Sequence, residues 1–328
     1  MMRRLALVLA LPWALSLAGA SAAFAQRFDF VAFGDMPYNI PADYERFERL
    51  IDRINAAAPA FTIHVGDTKS GGTACSDEII LRARDYFGRF KGGVVYSIGD
   101  NEWTDCHRRA AGGFNPLERL DFVRRHHFAE PRSLGQAPIA LERQSDTMAD
   151  RFSRYVENSR WQHNGIHFVS LHIVGSNNNF EARPGAPQEY FARNEANLAW
   201  LADSFAKATR EGAPGMVITF QADLWEERTP REPLQNGFTD TIEALRRESV
   251  AFGRPVLLVM GDSHVLRIDQ PLRDNTRPWP RTIENVTRLM VMGAAEVHAV
   301  RVTVDPAEPG LFSFTPLRVP ENALPPRL

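Results

Sequence analysis

Four apolar runs in this chain end on the same dipeptide: FVAFGD at Asp35, FTIHVGD at Asp67, VVYSIGD at Asp100 and VLLVMGD at Asp262. Gly-Asp occurs nowhere else in the sequence. A short, nearly unbroken apolar run is what a strand covered on both faces looks like, since neither side of its pleat meets water. Glycine then lets the backbone turn sharply, and the aspartate stands at the strand's C-terminal end. With 328 residues, 44% of them hydrophobic, the chain can bury a large core; it is long for one domain, yet within the range of a single α/β unit.

Between these strands the spacing turns helical. Phe47, Leu50, Ile51 and Ile54 follow helical periodicity until Ala58-Pro59 closes the segment. Ser76 is placed to cap a helix whose Ile79, Ala83, Tyr86, Phe87 and Phe90 share a face. The first third therefore reads β-α-β-α-β. Right-handed crossovers make such strands parallel and gather their C-terminal ends at one edge, where open α/β sheets bind ligands. The second half repeats the logic: GIHFVSLHIV (165–174) is a strand followed by the loop GSNNN, a helix carries Leu198, Leu201 and Phe205, and GMVITF leads into Gln221. A further helix around Ile242 and Leu245 precedes VLLVMGD. TRLMVMG and VHAVRVTV read as antiparallel strands and VPENALPPRL as a loose tail, while Thr104 to Asn158 carries the weakest pattern. No linker, repeat or low-complexity tract divides residues 26–328, so one domain with a C-terminal tail is expected there.

The first 25 residues read differently. Arg3 and Arg4, the apolar stretch Leu5 to Leu17 broken by Pro12, and Ala23-Phe24-Ala25 before Gln26 form a signal-peptide pattern with a cleavage site. The chain is expected to be exported, periplasmic or secreted, with no membrane anchor after cleavage. A net charge of −2 and a pI near 6.5 leave no electrostatic footprint for bulk nucleic acid. Cys75 and Cys106 are the only cysteines, and an oxidising destination allows a disulfide between them; two separate buried thiols are the alternative.

Carboxylates gathered at one sheet edge repel one another, and a bound cation removes the conflict. Two divalent ions roughly 3.5–4 Å apart make a clamp that activates water and stabilises both oxygens of a phosphoryl displacement. The order of the blocks resembles the calcineurin-like metallophosphoesterase superfamily, whose motifs run D-x-H, G-D, G-N-H-D/E, H and G-H-x-H. They match Asp35-Met36-Pro37, Gly66-Asp67, Gly99-Asp100-Asn101-Glu102, Gln221 and Gly261-Asp262-Ser263-His264, over about residues 28–270. The resemblance implies an α/β fold of two packed mixed β-sheets flanked by helices. It further implies two divalent ions, Mn, Mg or Fe, and a small phosphorylated substrate. By position, Asp67 would bridge the ions, Asp35 and His264 would hold one, and Asp100, Gln221 and Asp262 the other.

The departures are as informative. Pro37, Asp100, Asn101, Gln221 and Asp262 stand where the family carries histidine or asparagine ligands and its catalytic histidine, and only His264 remains as imidazole. An oxygen-rich shell favours hard ions, with Ca²⁺ joining Mg²⁺ and Mn²⁺. Asn101 at the catalytic position cannot supply a proton, because an amide does not titrate usefully. Glu102, His107 or Tyr38 are the candidate substitutes, unless the leaving group needs no acid. His172 and Asn177 are candidate contacts to substrate or to the ligands, although such a histidine is more often packed and Asn-rich loops are usually turns. Arg124 to His127 read as a solvated basic face. The expected function is a metal-dependent phosphomonoester or phosphodiester hydrolase. A binding protein on the same fold that has lost turnover is the main alternative. A GDSL-type serine esterase using Ser263 is a minor one, its block lying late in the chain and His298 lacking an aspartate three residues before it.

Overall fold

The computed structural model describes residues 26–226, 229–232, 234–275 and 278–324. The signal-peptide pattern lies outside the described residues. The strands are β1 (Phe28–Phe33), β2 (Thr62–His64), β3 (Gly93–Tyr96), β4 (Leu134–Gly135), β5 (Glu142–Arg143), β6 (Ser159–His163), β7 (Ile166–Ser170) and β8 (Met216–Thr219). They continue with β9 (Val256–Met260), β10 (Arg267–Asp269), β11 (Arg273–Asp274), β12 (Arg281–Thr282), β13 (Val286–Met290), β14 (Ala299–Val304) and β15 (Phe312–Leu317). The helices are α1 (Ala42–Ala57), α2 (Asp77–Phe87), α3 (Pro116–His127), the single turns α4 (Gln144–Thr147), α5 (Ala149–Phe152) and α6 (Gly175–Asn178), then α7 (Ala186–Arg210) and α8 (Thr239–Phe252).

Two large mixed sheets result, one ordered β15-β14-β1-β2-β3-β4 and the other β10-β13-β9-β8-β7-β6-β5. The pleat of β1 explains how they stack. Phe30 and Ala32 point into a core shared with Phe168, Val217, Leu257 and Leu289 of the other sheet. Val31 and Phe33 point the opposite way, onto Phe47, Leu50 and Ile51 of α1 and Phe87 of α2. The outer face of the second sheet is covered by Trp200, Leu201 and Phe205 of α7 and Leu245 of α8. Every side chain of β9 is buried, each contributing roughly 1.5–3 kcal/mol against exposure. The architecture is the four-layer arrangement implied by the resemblance, helices outside and two sheets within. No helix among the described residues is long and apolar enough to cross a membrane.

Details of the sequence reading are revised by packing. β14 is antiparallel to both β1 and β15, as expected, whereas β13 is antiparallel to β10 but parallel to β9. Ile80 rather than Ile79 turns into the α2 core. Arg124 and His127 are buried rather than solvated, Arg124 donating through Nε to Glu157 at 3.0 Å. The tail is anchored at least to Asn322, which is buried and exchanges hydrogen bonds with Arg46 and Arg49 of α1.

Candidate metal centre

β1 is parallel to β2 and β2 to β3, which brings Asp35, Asp67 and Asp100 to one edge; β9, in the facing sheet, delivers Asp262 to the same place. The shared glycine has a different role from the one its sequence suggests. Asp35, Asp67 and Asp262 themselves take positive φ (53°, 58° and 75°), and of the four preceding glycines only Gly66 does. The other glycines provide room. A Cβ on Gly99 would sit 2.1 Å from Asp67 Oδ1, and one on Gly261 would sit 2.1 Å from Asp35 Oδ2. Gly99 and Gly261 thus clear space for a carboxylate presented by another strand, while Gly34 makes room for Val65, whose Cγ2 a Cβ there would meet at 2.4 Å.

Asp35 is fully buried; its Oδ1 accepts the Asp262 N–H at 3.0 Å, and its Oδ2 has no hydrogen-bond partner. His264 Nε2 lies 3.7 Å from Asp35 Oδ1. Asp35, Asp67 and His264 offer ligand atoms that all fall within 4.8 Å of one another, the one such group among the described residues. Burial holds the Asp35, Asp67 and Asp262 carboxyls well above the ordinary range, and the neighbouring carboxylates push them further. A divalent cation answers both observations. It would ligate the bare Asp35 oxygen and neutralise the mutual repulsion, so this donor set fits one.

Tyr38 stands beside the triad. Its hydroxyl donates to Asp67 Oδ2 at 2.7 Å and lies 3.2 Å from His264 Nε2; burial and Asp67 raise its pKa well above the ordinary phenol value, so it keeps its proton. Asn101 donates from Nδ2 to Asp67 Oδ2 at 2.7 Å and to Tyr38 at 3.0 Å. Gln221 is buried beneath, with Nε2 3.4 Å from Asp67 Oδ2 and 3.3 Å from Asp100 Oδ1.

Other expected residues lie elsewhere or act differently. Glu102 faces away from the cleft, accepting the N–H groups of Gly99 and Thr68 and the Thr68 hydroxyl, so it clamps the β2 and β3 loops and is no proton donor to a substrate. His107 is exposed and does not line the cleft, its Nδ1 turned to the Thr104 carbonyl at 2.7 Å. His172 is buried behind the site against Glu157 at 2.8 Å. Asn177 borders the cleft, but its side chain binds the backbone of Phe180, Gln235 and Gly237. Ser263 donates to Asp223 at 2.7 Å, not to a histidine, which removes the basis for a serine nucleophile. Cys75 and Cys106 form a disulfide, and both sulfurs pack on the Asn101 carbonyl.

The sequence reading missed Ser176, Asp105 and Arg108. Ser176 Oγ lies 2.8 Å from both Asp100 Oδ2 and Asp105 Oδ1, and Arg108 pairs with Asp105 at 2.5 Å. Burial, then Asp100, raises Asp105 to about 7. Ser176 begins four consecutive left-handed residues, Ser176 to Asn179, with φ between 49° and 60°. That conformation costs roughly 1–2 kcal/mol per residue, less for asparagine, and the GSNNN composition was the available signal. Together these groups line an open cleft of ≈ 550 Å³ rich in carboxylates, with Arg108 as its guanidinium among the described residues.

No protein-family model matches the sequence, and no curated protein does. Among solved structures the chain is similar to GAP50, the anchor in the inner membrane complex of Plasmodium, with a TM-score of 0.51 and 9% identity, covering 90% of this chain and 89% of that one. It is also similar to purple acid phosphatase PPD1 from yellow lupin (Lupinus luteus) seeds, with a TM-score of 0.50 and 11% identity over 93% of this chain and 57% of that one. At these identities the likeness is one of fold, and the fold is that of the calcineurin-like metallophosphoesterases. One of these neighbours is a phosphatase and the other an anchor, so the fold does not choose between catalysis and binding.

Proposed function

We propose that this protein is an exported, divalent-metal-dependent hydrolase of phosphate esters whose leaving groups depart without protonation. The observation that carries the proposal is the convergence of Asp35, Asp67 and His264, together with an unpartnered oxygen on the buried Asp35 carboxylate. The disulfide and the N-terminal pattern support export. An ion held by the triad supplies Lewis acidity and an acidified water. Arg108, which lines the cleft and is paired with Asp105, is the guanidinium that would meet a phosphoryl oxygen there.

The leaving-group requirement follows from the residues. Asn101 stands at the acid position, Glu102 is tied to backbone amides, and the Tyr38 hydroxyl directs its proton to Asp67 Oδ2. Water oxygen attacks phosphorus, its protons remain with the phosphate product, the P–O bond to the leaving group breaks, and that group departs as an anion; aryl phosphates and phosphoanhydrides meet the condition, and simple alkyl phosphates do not. The test is a series of aryl phosphates of graded leaving-group acidity, assayed with and without Mn²⁺. Metal-dependent turnover rising steeply with acidity is expected, and a flat dependence would mean that an acid catalyst operates. A second reading is favoured by the carboxylates of the cleft, which oppose an anionic substrate: a metal-binding protein without turnover, which would bind Mn²⁺ and release no phosphate from any member of the series.

A further inference from the structure

We infer that the centre is built for a single divalent ion, held by Asp35, Asp67 and His264, and that Gln221 closes the second position. This rests on the metal-dependent reading above and deepens it. The second position would lie between Asp67 and Asp100, with the Gln221 oxygen as a ligand. That oxygen is already engaged: Oε1 accepts the Gly175 N–H at 2.6 Å. Rotating the amide by half a turn would set Nε2 against that N–H, donor against donor, and leave a buried amide unsatisfied. The nitrogen therefore faces the carboxylates, 3.4 Å from Asp67 Oδ2 and 3.3 Å from Asp100 Oδ1. An amide nitrogen presents hydrogens and no lone pair, so a cation placed between Asp67 and Asp100 would meet donors.

Ser176 strengthens the closure, its hydroxyl lying 2.8 Å from the other Asp100 oxygen. The two halves of the cluster thus differ in kind. Around Asp35 there is a bare buried oxygen and an imidazole; around Asp100 both carboxylate oxygens already face neutral donors.

The test is metal stoichiometry on the chain without its N-terminal 25 residues, by elemental mass spectrometry and by calorimetric titration with Mn²⁺. Wild type is compared with Gln221→Glu, which keeps the acceptor that Gly175 needs and replaces the NH₂ group by an oxygen. One Mn²⁺ per wild-type chain and two per Gln221→Glu chain are expected, with Asp35→Asn losing the wild-type ion. Two ions in the wild type would overturn the inference while leaving the metal-dependent reading intact. One ion in both would overturn the assignment of the closure to Gln221. No ion in the wild type would overturn the inference and the proposed function together. Circular dichroism separates a failure to bind from a failure to fold, and Gln221→His, restoring an imidazole at that position, serves where Gln221→Glu does not fold.

Discussion

Replacing Arg193 by methionine removes the clamp behind the left-handed turn that carries Ser176 to the cleft. Arg193 is fully buried, and its guanidinium is saturated. Nε donates to Glu189 at 2.7 Å, Nη1 to the His172 carbonyl at 2.8 Å and Asn178 Oδ1 at 2.6 Å, and Nη2 to the Asn178 carbonyl at 2.9 Å and Glu189 Oε2 at 3.1 Å. Methionine fills much of the volume but leaves the largely buried Glu189 charge without its partner, and breaking a buried pair from one side costs about 3–5 kcal/mol. Backbone strain in Ser176 to Asn179 is then held by fewer contacts, which acts in the same direction. Urea unfolding followed by circular dichroism should register a loss of about 3–5 kcal/mol at unchanged slope, a large share of a typical domain's stability. Arg193→Met combined with Glu189→Gln should recover part of the loss, because the stranded charge is gone. A single-variant loss below about 1 kcal/mol, or a double variant no more stable than the single, would show that Arg193 does not hold a buried Glu189 charge.

Gly261→Ala should weaken Mn²⁺ binding by more than about tenfold with the fold retained, since its methyl would sit 2.1 Å from Asp35 Oδ2; unchanged affinity in a calorimetric titration would contradict the role given to that glycine. Cys75→Ser with Cys106→Ser opens a loop spanning 31 residues and should cost about 3–4 kcal/mol in urea unfolding, most of it through the unfolded chain. His127 is lowered by burial to about 3, below its ordinary value of 6.5, so the unfolded chain takes up the proton first and stability falls as pH drops from 6.5 towards 3. His127→Phe should flatten that fall by up to about 1.4 kcal/mol per pH unit, read from unfolding at pH 7 and pH 5; an identical slope in both proteins would show that His127 does not titrate this way. Asn101→Ala should change turnover of aryl phosphates only modestly, and a loss as large as that of Asp67→Asn would assign Asn101 a direct part in the chemistry.

Much of this protein was legible from its chain. Two periodicities, alternation in β1 and helical spacing at Phe47, Leu50, Ile51 and Ile54, follow from which faces must be buried, and burial is written in residue type. The convergence of Asp35, Asp67 and Asp100 was legible for the same reason, since successive parallel strands end at one edge. Partner choice among late strands was not: TRLMVMG suits a parallel or an antiparallel neighbour equally, and only the approach of β9 decided. Nor does the sequence say which way an amide faces. Gln221 reads as an oxygen ligand until Gly175, 46 positions away, takes its oxygen. Glu102 sits among acids in the sequence, yet backbone N–H groups from two loops turn it out of the cleft. Local pattern and solvent exposure make the central strands, the helices packed on them and the four acids that follow legible from residue type. Which oxygens remain bare and which are already bonded emerges once the chain is folded, because hydrogen-bond direction is set by groups brought together from distant parts of the chain.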